Sequence, residues 1–479
     1  MKKTVQHSLS WLRNNSVHYT ICGLFFLVYN VNELAGDVEF TEMAWPFLAL
    51  LLGPVLLKFF LTALTGRSIN SAIFTTLFCL IIIFYAHLFY FFISSHFVKS
   101  FLKEGYFIIF LIGGLALAAF RLFRAAEPQH TFNLYLNLLL LSYLFVEMIR
   151  FTGNAGHVDE IRGIMAKLDS VRKPASRTKP NVYFIVTDAY ANSENLKKYW
   201  NYDNGKFIAH LKQRGFYHVM HSRSNYNNTG SSIASILNAE FLPRSLDVNS
   251  TVSRIAVQNG LIRMIRASKV FQRFYAEGYD ICNLSIFNIL NTRPFYFDRF
   301  LYPSFYNHLL SKTLPIRIFI RYADMDRLAA LGEMERISKV KDVRPRLIYC
   351  HLLLPHHPYV YDSTGAHSIP TNPSFRQSLP YLEQLIYTNK LLTRSIDGIL
   401  NNDPHAVIVL TSDHGYRQLD KEEDSMKESF ENFTCFHFPG RDTVGLYDTM
   451  SAINIFNIVF SKIEGEPLKL QKDTLNYFY

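Results

Sequence analysis

Long apolar runs separated by short polar breaks fill roughly the first 150 residues, and the pattern then changes. Apolar segments at about 17–36, 43–65, 70–95, 106–123 and 131–149 each approach the roughly 20 residues that a helix needs to cross a bilayer. Five spans are expected, the fifth interrupted by Asn133, Asn137 and Glu147. Lys2, Lys3, Arg13, Arg67, Arg121 and Arg124 fall on one side of this arrangement and only Lys99 and Lys103 on the other. That bias puts the N-terminus in the cytoplasm and, after five crossings, the C-terminal half outside. The stretch from Asn32 to Glu42 carries four acidic residues and no Lys or Arg, in keeping with an outward loop. Lys58 and His87, in or near spans, read as a snorkelling side chain and a bundle hydrogen-bonding group.

Residues 151–180 read as a linker, with an amphipathic helix near 158–171 and then a basic, Pro-containing tether from Arg172 to Pro180. From 181 to 479, buried-type strands alternate with helical stretches. Strands are expected at 182–187, near 216–223, at 280–285, 346–353 and 406–411, and near 432–438; helices near 203–214, 268–277, 377–401 and 449–462. The fold class is therefore α/β: a polytopic helical membrane domain over 1–150, then an α/β domain whose central sheet is mostly parallel. In such sheets ligands sit beyond the carboxyl ends of strands.

Net charge and cysteine content change this picture little. The formal charge of +10 suits an anionic lipid or polymer surface, or simply membrane orientation signals, and no nucleic-acid module is present. The five cysteines show neither CxxC nor Cys/His ligand spacing, so no disulfide framework is required.

Candidate chemistry gathers at strand ends. Asp188 closes VYFIVTD, Asp413 and His414 follow VIVLTS, and His356 and His357 follow the strand that ends in LLLP. Two carboxylates and an imidazole suit one divalent cation, Mn²⁺ or Zn²⁺, with Mg²⁺ favoured less because of the His. In NYNNTGSSIASILN a polar start meets Ile233, Ile236 and Leu237 at helical spacing, which places Thr229 at or near a helix N-terminus. Its neighbouring N–H groups would favour an anion on the Thr hydroxyl. His437, in CFHFPG, is a further candidate for the same site, and Arg223, Lys390 and Arg417 are candidate contacts for an anionic substrate.

In order along the chain, VYFIVTDAY, SNYNNTGSSIASILN, LLLPHHPYVYD, YLEQLIYTNKLL and IVLTSDHGY resemble the sulfatase-like branch of the alkaline phosphatase superfamily. The similarity is greatest to its membrane-anchored members, lipoteichoic acid synthases and phosphoethanolamine transferases. The resemblance implies Asp188, Thr229, Asp413 and His414 as ligands of one catalytic metal, with Thr229 also the nucleophile. It implies His356 as a substrate or leaving-group contact, with His357 in the neighbouring position as a second candidate. Two departures from the family pattern stand out. The first ligand is Asp where several transferases have Glu, and the formylglycine cysteine motif of sulfatases is absent. The expected function is transfer of a phosphoglycerol- or phosphoethanolamine-type head group from a phospholipid donor to an envelope glycan or lipid acceptor, at a bacterial inner membrane. The alternatives are a phosphodiester or sulfate-ester hydrolase and an inactive polymer-binding protein.

Overall fold

A computed structural model describes residues 2–33, 38, 40–85, 104–154, 156–176, 178–246, 254–292, 295, 309, 312–314, 327–367, 378–419 and 422–476. The chain divides into two compact units, one of residues 1–160 with 301–324 and one of residues 161–300 with 325–479.

In the first unit, helices His18–Glu33, Phe40–Thr65, Ser68–Ile83, Glu104–Arg124 and His130–Asn154 fall on the five apolar segments. Among the described residues, two stretches, Met43–Thr65 and His130–Thr152, are long and apolar enough to cross a membrane, and Ser68–Ile83 is a shorter apolar helix. His87 lies outside the described residues. Trp45, Leu56, Phe60, Phe145 and Ile149 point outward, a surface suited to lipid rather than water. The polar residues that interrupt the last apolar segment turn inward and are satisfied there. Asn137 Oδ1 accepts the amides of Val17 and His18, both at 3.0 Å, while its NH₂ donates to the carbonyls of Leu12 and Asn15. Asn133 Oδ1 lies 2.9 Å from His18 Nε2, and the other ring nitrogen of His18 meets Thr76 Oγ1 at 2.6 Å. Near the opposite end of that helix, Glu147 is bonded by Asn32 and Arg150. These side chains staple the helices to one another, because an unpaired polar group away from water is costly.

The second unit is built on six strands: β1 Val182–Asp188, β2 Phe216–Val219, β3 Asp280–Leu284, β4 Arg346–Pro355, β5 Val407–Ser412 and β6 Thr434–His437. Their order in the sheet is β2-β6-β5-β1-β4-β3. β1 lies parallel to both β4 and β5, and β3 is parallel to β4, whereas β6 runs antiparallel to β5 and to β2. The sheet is mixed and mostly parallel, and its central strands are buried on both faces. Alternate residues sort cleanly between two cores. Val182, Phe184, Val186, Leu347, Tyr349, Val407 and Val409 pack on one face with Ile233 and Ile236 of helix Thr229–Ile236 and with Ile455–Glu464. Tyr183, Ile185, Ile348, Cys350, Ile408 and Leu410 pack on the other with helix Ser378–Asn402. Helices Ser193–Trp200, Arg254–Arg266 and Ala329–Ser338 were not legible from periodicity, and the last helix starts at Ile455 rather than 449, after a tight turn at Ala452–Asn454.

Phe184 is fully buried, stacked on Tyr349 at 5.4 Å between ring centres and edge-on to Phe456 at 4.8 Å. Phe184→Ala is expected to destabilise this unit by about 3–5 kcal/mol, read as a lowered denaturant midpoint.

Candidate metal centre

The parity of the sheet builds this site. Along β1 the side chains facing the first core are Val182, Phe184 and Val186, and the next on that face is Asp188. On β5 the same row runs Val407, Val409, Thr411 and then Asp413, just beyond the strand. On β4 it runs Leu347, Tyr349 and His351, with His351 beside Val186. Parallel pairing brings the carboxyl ends of the three rows together. Asp188, His351 and Asp413 each offer a ligand atom within 4.8 Å of the others, and all three are buried.

His414 joins them from the turn after β5. Its Nε2 lies 3.6 Å from Asp413 Oδ2, 3.7 Å from Asp188 Oδ1 and 3.4 Å from Thr229 Oγ1. Zinc–ligand bonds of about 2.0–2.2 Å place tetrahedral ligand atoms roughly 3.3–3.6 Å apart, so these spacings fit a shared cation. His414 Nδ1 donates to the Gly415 carbonyl at 2.7 Å, which leaves Nε2 with its lone pair toward the centre. Thr229 is the first residue of its helix, capped by Asn228, whose side chain accepts the Ser231 amide. The segment ahead of it is held by Asn225, which bonds Ser451, Ile453 and Thr474, and by the Asn476 amide on the Asn225 carbonyl.

The donor atoms themselves carry the fit to a metal. Asp413 Oδ1 accepts the amides of Ala189 at 3.0 Å and His414 at 2.8 Å, whereas Asp413 Oδ2 has no hydrogen-bond partner. Asp188 Oδ1 and His351 Nε2 are likewise buried without a partner. Each such orphan costs about 1–3 kcal/mol, so three at one point are a strong mark of a cation-binding site. The electrostatics agree. Burial, then the Asp413 carboxylate, pushes Asp188 well above the usual carboxylate range. Burial opposes the Asp413 anion too, but the His414 and His351 imidazoles and the Ala189 amide outweigh it and hold that carboxyl low. Burial pulls His351 and His414 down to about 4, keeping both imidazoles neutral and able to ligate. A divalent cation would let both carboxylates ionise.

His356 and His357 sit on the loop after β4. Gln384 Nε2 and Arg327 Nη1 donate to the His356 carbonyl at 2.9 and 3.0 Å, while Gln384 Oε1 accepts the Val360 amide. Burial lowers the His356 pKa, while its hydrogen bond to the His357 carbonyl and then the Asp413 carboxylate act in the opposite sense. His357 stands edge-on to Tyr359, 5.4 Å between ring centres. Arg417 reaches the Asn227 carbonyl at 3.3 Å, near the start of the Thr229 helix. Arg223 pairs with Glu431 and Lys390 with the Ser363 carbonyl.

His437 does not reach the site. β6 runs antiparallel to β5, so His437 lies opposite Ile408 at the amino end of β5, with Nδ1 3.0 Å from the Ala406 carbonyl. Sequence reasoning also passed over His351. The signal was present: a single imidazole in the aliphatic strand RLIYCHLLLP, two residues from Tyr349 on the face that carries the carboxylates.

No family model matches the chain, and no curated protein matches it. Among solved structures, the integral membrane lipooligosaccharide phosphoethanolamine transferase A from Neisseria meningitidis aligns over 94% of this chain and 96% of its own, at 11% identity and a TM-score of 0.40. In structure the chain is similar to phosphoethanolamine transferases. The C-terminal periplasmic domain of EptC from Campylobacter jejuni aligns over 61% of this chain and 93% of its own, at 14% identity and a TM-score of 0.39. The corresponding EptC domain from Escherichia coli, in complex with Zn, aligns over 61% and 86%, at 11% identity and a TM-score of 0.39.

Gly415 follows His414, and a Cβ there would run into the carbonyl oxygens of Glu428 and Glu431, backbone atoms that cannot swing aside. Gly415→Ala is expected to cost about 1–3 kcal/mol and to displace His414. A lowered melting temperature together with less than half the bound metal of the unaltered protein would register it.

Proposed function

We propose that this protein is a membrane-anchored, divalent-metal-dependent transferase that moves a phospho-head-group of phosphoglycerol or phosphoethanolamine type. The donor is a phospholipid, and the acceptor is an envelope glycan or lipid hydroxyl. One observation carries the reading: a Thr hydroxyl at a helix N-terminus lies 3.4 Å from the imidazole of a buried cluster whose carboxylate and imidazole lone pairs lack partners. Asp188, His351, Asp413, His414 and Thr229 would hold the cation, which is Zn²⁺ or Mn²⁺ in keeping with the imidazoles. When bound, it would stabilise charge on the phosphoryl oxygens and favour the ionised Thr229 hydroxyl.

In the first half-reaction Thr229 Oγ1 bonds to phosphorus as the P–O bond to diacylglycerol breaks, and the proton lost by Thr229 ends on the released glyceride hydroxyl. In the second, the acceptor hydroxyl bonds to phosphorus, the P–O bond to Thr229 breaks and the acceptor's proton returns to Thr229. The first-turn amides of the Thr229 helix favour the anionic ester. His356 Nδ1 lies 2.6 Å from the His357 carbonyl, which assigns the proton to Nδ1 and leaves Nε2 to relay protons between departing and entering oxygens. The apolar helices of residues 1–150 act as an anchor that keeps this centre, on the extracytoplasmic side of a bacterial inner membrane, close to its lipid donor.

Mass spectrometry of the peptide containing Thr229, from native membranes, is expected to show an increment equal to the transferred head group, absent in Thr229→Ala. Transfer by Thr229→Ala should fall by about a thousandfold or more. Full transfer by that variant would overturn the covalent mechanism, and rapid turnover with water as the only acceptor would recast the enzyme as a hydrolase.

A further inference from the structure

Ala189, immediately after Asp188, has φ of +62°, a left-handed conformation that residues with a Cβ avoid and that is usually given to glycine. This turn is not idle, because its amide is one of the two that hold Asp413 Oδ1. What keeps Ala189 there comes from the other face of the sheet. Tyr381, fully buried on helix Ser378–Asn402, donates its hydroxyl to the Ala189 carbonyl at 2.8 Å and accepts the Ala191 amide at 3.0 Å. The ring is wedged among Tyr416, Trp200 and Tyr359, at centre distances of 4.3, 5.2 and 6.1 Å, so the hydroxyl has little freedom to move. The amide between the two, of Tyr190, donates to Ser412 Oγ, which in turn donates to the His414 carbonyl. One turn therefore touches both carboxylates and the His414 backbone.

We propose that Tyr381 is a positioning residue of the metal centre. Its hydroxyl pins Ala189 in the left-handed conformation, which fixes Asp413 Oδ1 on the Ala189 amide and turns Asp413 Oδ2 and Asp188 Oδ1 toward the cation. The inference rests on the metal-centre reading above. The Tyr381 hydroxyl bonds the backbone of Ala189 and Ala191 rather than a ligand atom, so its effect appears in the geometry and affinity of the centre.

The test uses the full-length protein in detergent, stripped of metal and titrated with Co²⁺ and Zn²⁺, with Co²⁺ absorption reporting coordination geometry. The chains compared are the unaltered protein, Asp413→Ala, Tyr381→Phe, Ala189→Gly and the double variant Tyr381→Phe with Ala189→Gly. Tyr381→Phe is expected to weaken metal binding about tenfold and alter the Co²⁺ spectrum. Ala189→Gly alone should bind as the unaltered protein does. In the double variant, glycine adopts the positive φ without the tyrosine's help, so affinity should recover to within about threefold. A Tyr381→Phe chain with unchanged affinity and spectrum would overturn the inference, as would a folded double variant that fails to recover. Equal binding by the unaltered chain and Asp413→Ala would overturn the metal centre itself, a result distinct from either.

Discussion

Two carboxylates buried side by side, Asp188 and Asp413, set the terms for the rest of this domain. Like charges this close and this dry cannot both ionise without a cation, and Asp188 Oδ1 and Asp413 Oδ2 are buried without a hydrogen-bond partner. The fold has satisfied one oxygen of Asp413 with two amides and left the other, along with Asp188 Oδ1, His351 Nε2 and the His414 ring, aimed at a common point. Such an arrangement sacrifices stability for a ligand, and the hydrophobic faces of the sheet must supply what the site withholds.

The sheet does so by a simple device. Parallel pairing of β1 with β4 and β5 aligns three alternating rows of large apolar side chains, and the same rows end in Asp188, His351 and Asp413. Core and centre are one continuous face, so the packing that stabilises the domain also sets the positions of the donors. The helix that begins at Thr229 belongs to that face as well, since Ile233 and Ile236 are buried in the core while Thr229 stands at its amino end. The polar approach to Thr229 cannot be held by apolar packing. Asn225 holds it instead, through bonds to the 451–453 turn and to residues 474–476. The loop that carries His356 is treated in the same way by Gln384 and Arg327. Side-chain amides and a guanidinium thus do at the irregular segments what the ladder does for the strands.

In the first unit the same rule takes another form. Outward positions of the long helices are apolar, whereas Asn133, Asn137 and Glu147 face inward and satisfy one another's neighbours. Polar residues that weaken an apolar run as sequence are what fasten its helix in place.

Hydrophobic patterning determined the elements themselves. Period-two and continuous apolar runs marked the six strands described, and long runs marked five of the helices described in the first unit, because burial acts on side chains that are local in sequence. Asp188, Asp413 and His414 stood out because they end or follow a buried run, and Thr229 because it stands where a polar stretch meets the start of a helical one. Only the tertiary structure decided who meets whom. Whether β6 runs parallel or antiparallel to β5 carries no local signature, and that direction sent His437 to the far end of the sheet. His351 was hidden because a histidine within an aliphatic strand declares its face only when strand neighbours and register are known. The left-handed turn at Ala189, held by a tyrosine 192 residues away in sequence, was equally invisible. An alanine reveals nothing of its φ until a distant hydroxyl and a distant carboxylate close around it.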